Sequence, residues 1–262
     1  MDLGLKGKRA LVLASSRGLG LGVATALARE GADVMITGRD KGRLAQAVDS
    51  INRDGPGRAR FVVSDLTAAE TPEVLRQSVT AAFGDLDILV NNTGGPPTGP
   101  MCEADLAVVQ RQFEIMVLRV MDVTGRFLPA MRSQNWGRVL TIASSGVIQP
   151  IPNLGLSNAL RGALVGWSKS MANEVGGDGV TFNMLLPGRI ATDRLAELDA
   201  ANAKRSGKTL EEVAALAKSQ IPAGRYGAVE EFAAIATFLV SERASYISGS
   251  MIRCDGGAIK SI

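Results

Sequence analysis

The stretch Ala10-Leu11-Val12-Leu13-Ala14-Ser15-Ser16-Arg17-Gly18-Leu19-Gly20 runs from an apolar tetrapeptide into a glycine-bearing turn. Beyond it, Leu19, Val23 and Leu27 recur at helical spacing. The reading is strand, turn, helix. Gly18 and Gly20 allow the backbone to approach a pyrophosphate closely, and the free N–H groups and positive dipole end of the helix that follows favour its charge. The same two glycines could serve only to make a tight strand-to-helix turn, so the rest of the chain has to decide.

Working outward, Val34–Thr37 reads as a second strand after the Gly31-Ala32 break, and Leu44, Val48 and Ile51 supply an amphipathic helix behind it. Gly38 and Arg39 then stand at a strand's C-terminal end, where open α/β sheets bind ligands. There Arg39 either meets an adenosine 2′-phosphate, favouring NADP over NAD, or is a solvated surface arginine. Arg17 offers a second positive charge from inside the turn. Further strands are expected at Phe61–Val63, Ile88–Val90, Arg138–Ile142, Val180–Leu186 and Met251–Cys254. The helical stripe of Leu106, Val109, Phe113, Met116, Val120, Val123 and Phe127 fills the interval between the fourth and fifth. Strands alternating with helices predict an α/β doubly wound parallel sheet with helices on both faces. Residues 189–222 form the longest segment without a strand signal.

Composition narrows the function. With 262 residues the chain can bury a large core, and one domain over 1–262 is expected. The 29 Lys and Arg against 26 Asp and Glu leave +3, with no basic run, so nucleic acid is not an expected partner. Histidine is absent and the only cysteines are Cys102 and Cys254, which excludes Ser-His-Asp and Cys-His catalysis and leaves no expected metal site. No apolar run approaches the ~20 residues that span a bilayer, and the N-terminal residues Asp2, Lys6, Lys8 and Arg9 lack a signal-peptide core. The expectation is a cytoplasmic protein without a membrane partner.

The segments Ala14–Gly20, Asn91-Asn92-Thr93-Gly94, Pro187-Gly188 and Asp255-Gly256-Gly257 resemble, in order and spacing, those of the short-chain dehydrogenases/reductases. Within that family the likeness is to the beta-ketoacyl-carrier-protein reductases, and it covers nearly the whole chain. The resemblance implies a single Rossmann-like domain, NADP(H) favoured over NAD(H), a carbonyl or acyl-carrier substrate covered by 189–222, and a homotetramer. It assigns the cofactor to Ala14, Ser16, Arg17, Gly18, Leu19 and Gly20 in the first turn, to Arg39, and to Asp65 and Leu66 after the third strand. Asn92, Thr93 and Gly94 after the fourth, then Arg161, Pro187, Gly188 and Ile190, complete the set. Asp65 could equally be a helix cap.

At the catalytic positions the chain departs from the family. Ser144 matches its serine, but Ser157 stands at the tyrosine, Arg161 at the lysine and Met116 at the asparagine, while Ala14 replaces the usual first glycine. The i,i+4 interval keeps positions 157 and 161 on one helical face. A serine hydroxyl is a far poorer acid than a phenol of pKa about 10, and arginine holds its proton to about pH 12 or above. Tyr226 and Tyr246 lie where the family has no catalytic residue. Three readings stay open: an NADPH-dependent carbonyl reductase with Ser144 and Arg161 polarising the carbonyl and water giving the proton, a dinucleotide-binding non-catalytic homologue, or other chemistry on the same fold. Arg189, Arg194, Lys204, Arg205 and Lys208 either meet an anionic substrate or carrier, or form a solvated face.

Overall fold

Seven strands make the centre of the computed structural model, which describes residues 1–261: β1 (Arg9–Val12), β2 (Asp33–Gly38), β3 (Ala59–Val63), β4 (Ile88–Asn91), β5 (Gly137–Ile142), β6 (Val180–Pro187) and β7 (Met251–Cys254). All neighbours pair in parallel, in the order β3-β2-β1-β4-β5-β6-β7. The chain builds outward from β1 to β3, then returns to lay β4 on β1's other side. That reversal opens a crevice at the C-terminal ends of β1 and β4, where such sheets bind ligands.

Alternation along the strands divides the core between two faces. Ala10 and Val12 of β1 pack with α1 (Gly18–Arg29), α2 (Lys41–Asp54) and α9 (Val229–Leu239), through Val23, Leu27, Leu44, Ile51, Phe232 and Ala236. Leu11, between them, faces the opposite layer of α3 (Thr71–Phe83), α5 (Arg119–Ser133) and α6 (Gly155–Val175), through Leu75, Val79, Val123, Phe127 and Val175. With both faces covered, the strands read as continuous apolar runs. Every residue of β5 is buried.

One expected helix is interrupted. The apolar stripe beginning at Leu106 runs through α4 (Leu106–Phe113), a π-helical turn at Glu114–Leu118, and then α5. A π turn widens the helix by one residue while still pairing its backbone, so neither proline nor glycine marks it in the sequence. Residues 189–222 hold no strand, as the sequence predicts, and contain α7 (Asp193–Ser206) and α8 (Leu210–Ser219). Thr192 caps α7 by accepting a hydrogen bond from the Leu195 N–H, and Gly207 ends it at φ +66°. Thr209 and Glu212 form a reciprocal capping box on α8. Among the described residues no helix is long and apolar enough to cross a membrane.

Candidate active site

The first turn is built by backbone contacts that restrict its residue types. The Ala14 N–H donates to Thr37 Oγ1 at 3.0 Å, and the Ala14 carbonyl accepts from Asn92 Nδ2 at 3.1 Å, which ties the β1 turn to the loop after β4. Ala14 sits at φ +46° and Gly18 at φ +60°. The left-handed region is costly for a residue with a Cβ, which is the physical sense of a glycine at either place. Gly20 is required for another reason. A Cβ there would lie 2.8 Å from the Ala14 carbonyl oxygen and 2.9 Å from Asn92 Nδ2, so a side chain would push apart the contact that joins the two loops.

The two arginines expected at the adenosine end differ in circumstance. Arg39 is exposed at the end of β2 and makes no ion pair among the described residues. Arg17 is already engaged, its Nη1 lying 3.2 Å from Asp193 and 3.4 Å from Glu197, both on α7. Ser16 packs against Gly38, and half-buried Leu66 contacts the α3–α5–α6 core layer. Asp65 accepts from the Thr67 N–H at 3.0 Å, closing a local turn before α3. Thr93 is buried and Gly94 exposed in the loop after β4. After β6, the Gly188 N–H donates to the Cys254 carbonyl at 2.9 Å, Pro187 pairs with Cys254 across the sheet, and buried Ile190 bridges to Gly227.

At the end of β5, Ser144 Oγ accepts from the Gly146 N–H at 3.0 Å. That bond uses a lone pair and leaves the hydroxyl proton free to be donated. Arg161 reaches the same strand end from α6, and its Nη1 donates to the Ile142 carbonyl at 2.9 Å, two residues before Ser144. The guanidinium is buried, with 9% of the residue exposed. Desolvation, and secondarily the positive field of Arg194, push its pKa down to about 10, so it remains a cation at neutral pH. Ser157, half-buried one helical turn before it, has no hydrogen-bond partner among the described residues. Met116 occupies the π turn and packs with Val120, Ala143, Leu156 and Leu160; at 1% exposure it is a core residue.

Sequence reasoning missed several residues that shape this region. Asn158 Nδ2 donates to the Ile151 carbonyl at 3.0 Å while its Oδ1 accepts from the Ile151 N–H at 3.3 Å, which braces the loop carrying Gly146. Asp199, buried on α7, accepts from Tyr226 Oη and from Arg189 Nη1, each at 2.7 Å. Tyr226 is thus a packing element of the 189–222 segment. Burial, then its bond to Asp199, raises its pKa. Of the five basic residues singled out there, Lys204, Arg205 and Lys208 are exposed on the outside, and Arg189 is paired with Asp199. Arg194, though exposed, reaches across to the loop after β4, where its Nη2 donates to the Pro96 carbonyl at 3.2 Å.

A nucleotide-type glycine turn at a parallel sheet's reversal point, with serine and a cation at the end of β5, defines a dinucleotide-linked oxidoreductase class. A family model described as enoyl-(acyl carrier protein) reductase matches residues 13–258, and the chain belongs to the short-chain dehydrogenase/reductase family. It is 33% identical to the 3-oxoacyl-acyl-carrier-protein reductase FabG of Aquifex aeolicus, over 98% of this chain and 99% of that protein. It is 31% identical to the uncharacterized oxidoreductase YvrD of Bacillus subtilis over the full length of both. Among solved structures, the L-sorbose reductase of Gluconobacter frateurii, complexed with NADPH and L-sorbose, superposes over all of both chains with a TM-score of 0.94 and 32% identity.

Proposed function

We propose that the protein is an NADPH-dependent reductase of a carbonyl or ketoacyl substrate, in which Ser144 and Arg161 polarise the carbonyl and water supplies the proton. The observation that carries this reading is the buried Arg161 guanidinium, fixed on the Ile142 carbonyl at the strand end that leads into Ser144. The chain fits the cofactor. Gly20 keeps the first turn free of a side chain at a place where none can be accommodated, and Arg39 is an uncommitted cation where a 2′-phosphate would need one. Bound NADPH would supply the hydride.

The remaining work falls to the protein. The Ser144 hydroxyl, its lone pair held by Gly146, donates to the substrate oxygen, and Arg161 stabilises the negative charge that grows there as the carbonyl carbon gains hydrogen. Prepositioned donors of this kind act most strongly where water is excluded. The alkoxide then takes a proton from water, leaving hydroxide. The Ser157 hydroxyl can relay that proton, accepting one as it passes on another, but its acidity is far below that of a phenol. General acid catalysis typically contributes about 10²–10⁴-fold, so turnover should be slow. The 189–222 segment covers the substrate in this reading, and one domain carries both binding and chemistry.

The exposed apolar side chains Leu106, Phe113 and Leu118 on the continuous α4–π turn–α5 helix, with Met251 on the edge strand β7, support assembly into a homotetramer. The test of the reductase reading is a single-turnover absorbance measurement with NADPH and a panel of ketones. Cofactor consumption that depends on the ketone is expected. Binding of both ligands without consumption would point to the non-catalytic homologue instead.

A further inference from the structure

We propose that the substrate carries a free carboxylate close to the carbonyl that is reduced, and that Arg161 and Arg194 together receive it. This rests on the reductase reading and deepens it by naming the substrate's chemical class.

Arg161 presents five N–H groups, of which one has a protein partner, the Ile142 carbonyl. No carboxylate among the described residues forms an ion pair with it, although the residue is nine-tenths buried. A buried guanidinium without a counter-charge is a costly arrangement, and proteins ordinarily pair such groups. Its unpaired edge is not sealed off. The sealed, unpartnered polar atoms among the described residues are Asn91 Oδ1, Thr141 Oγ1 and Thr237 Oγ1, and none belongs to Arg161. The free N–H groups therefore keep some solvent access in a largely buried setting.

The neighbouring charge is another cation. Arg194, in the first turn of α7, crosses from the covering segment to the loop after β4. It donates to the Pro96 carbonyl at 3.2 Å and lies so close over Gly95 that a Cβ there would sit 3.0 Å from its Nη2. Its one acidic partner, Glu197, is 3.4 Å away on the exposed side and also faces Arg17, so the pair is long, solvated and shared. Arg194 is near enough to add its field to the desolvation of Arg161. One guanidinium is held at the end of β5 and the other over the adjacent loop after β4, and the one carboxylate paired with either is that shared acid. A dinucleotide's phosphates would be received in the β1 turn and by Arg39, at other strand ends, and the nicotinamide half of the cofactor, the part left for Arg161 to contact, brings no negative charge. The missing anion belongs to the substrate. The planar donor fork of arginine matches a carboxylate two bonds at a time, which the point charge of a lysine at position 161 would not do. An oxo acid satisfies both requirements: a carbonyl for Ser144 and a carboxylate for the arginines.

The test titrates acetoacetate and pyruvate, each against its methyl ester, into the protein loaded with NADP+, so that no turnover disturbs the calorimetry. The acids should bind about 10- to 100-fold more tightly than their esters, the scale of one or two charge-assisted hydrogen bonds. Arg161→Met should abolish that preference. Because that change alters a buried position, Arg194→Gln on α7 serves as the second variant, and it should reduce the preference, with acid affinity falling more than ester affinity. Equal affinity for acid and ester, no affinity for either acid, or inorganic phosphate competing as well as acetoacetate would each overturn the carboxylate assignment. NADPH oxidation measured in parallel separates the two proposals. Acid-selective binding without oxidation keeps the anion site and retires the reductase, whereas oxidation by ester and acid alike, with equal affinity, keeps the reductase and retires the anion site.

Discussion

Replacing Ser157 by tyrosine and Arg161 by lysine would put a phenol and an ammonium one helical turn apart on α6, next to a Ser144 whose hydroxyl proton is already free. Two charges about 5 Å apart in an effective dielectric of about 20 interact by about 3 kcal/mol. That favours the phenolate enough to lower a phenol of pKa about 10 by about 2 units. Burial opposes part of this, since the same surroundings hold the Arg161 cation down to about 10 by desolvation. A phenol left with a pKa of about 8 to 9 is still a far better acid than serine, and the reduction rate should rise toward the ~10²–10⁴-fold of general acid catalysis. Ser157→Tyr alone and Arg161→Lys alone should each give less, because the two groups are coupled. Adding Met116→Asn should cost stability, since the amide would replace a core residue in an apolar cluster, by about 1–3 kcal/mol unless it finds a partner. The assay is stopped-flow oxidation of NADPH with a ketone whose binding has been verified. A double variant that folds, binds both ligands and transfers hydride no faster than the starting protein would refute the reasoning.

Other perturbations test the cofactor turn, the charge state and the assembly. Calorimetry should show NADPH binding more tightly than NADH, with Arg39→Asp removing about tenfold or more of that preference. Arg17→Ala should remove less, since Arg17 is shared with Asp193 and Glu197; equal affinities in the unaltered protein would contradict this. Gly20→Ala should lower stability by about 1–3 kcal/mol by overpacking and weaken NADPH binding, read from denaturant midpoints and calorimetry. Burial places the Arg161 pKa below its ordinary value, so the folded chain gives up that proton first. The burial penalty therefore applies fully below pH 10 and is relieved as pH rises above about 10 toward arginine's ordinary range, whereas acetoacetate binding should hold from pH 6 to 9 and fall above about 10. An affinity lost between pH 6 and 8 would rule out the arginine. Sedimentation at micromolar concentrations should show a tetramer, and Leu106→Glu with Phe113→Glu should shift it to smaller species; a monomer at every concentration would dispose of the proposed interface.

The sheet was legible because its determinants are local. Apolar runs such as Leu11–Leu13 and Ile88–Val90 carry their own strand signal, and the glycines after β1 mark a turn that few other residues can make. The i,i+4 spacing of Ser157 and Arg161 likewise follows from the helix alone. What the sequence withheld depends on partners distant in the chain. Arg17 meets Asp193 across a separation of 176 residues, and nothing around either residue announces the other. Arg161 lies on the buried side of α6, but that it meets a backbone carbonyl and no carboxylate depends on how α6 sits over β5. The π turn around Met116 left no trace because it breaks no residue preference. Ala14 shows the converse, since a backbone angle suited to glycine is held by an alanine that Thr37 and Asn92 fix from two sides.

A Ser144–Arg161 site that lacks a phenol acid should still direct hydride to a carbonyl carbon. Its most direct test is mass spectrometry of the product formed with NADPH deuterated at both transferable nicotinamide positions, over a panel of oxo acids and neutral ketones. The expected product is an alcohol carrying one deuterium on the former carbonyl carbon, formed slowly by the unaltered protein and lost in Ser144→Ala with Arg161→Met. NADPH bound in the cleft, substrate bound beside it and no deuterium in any product would contradict it.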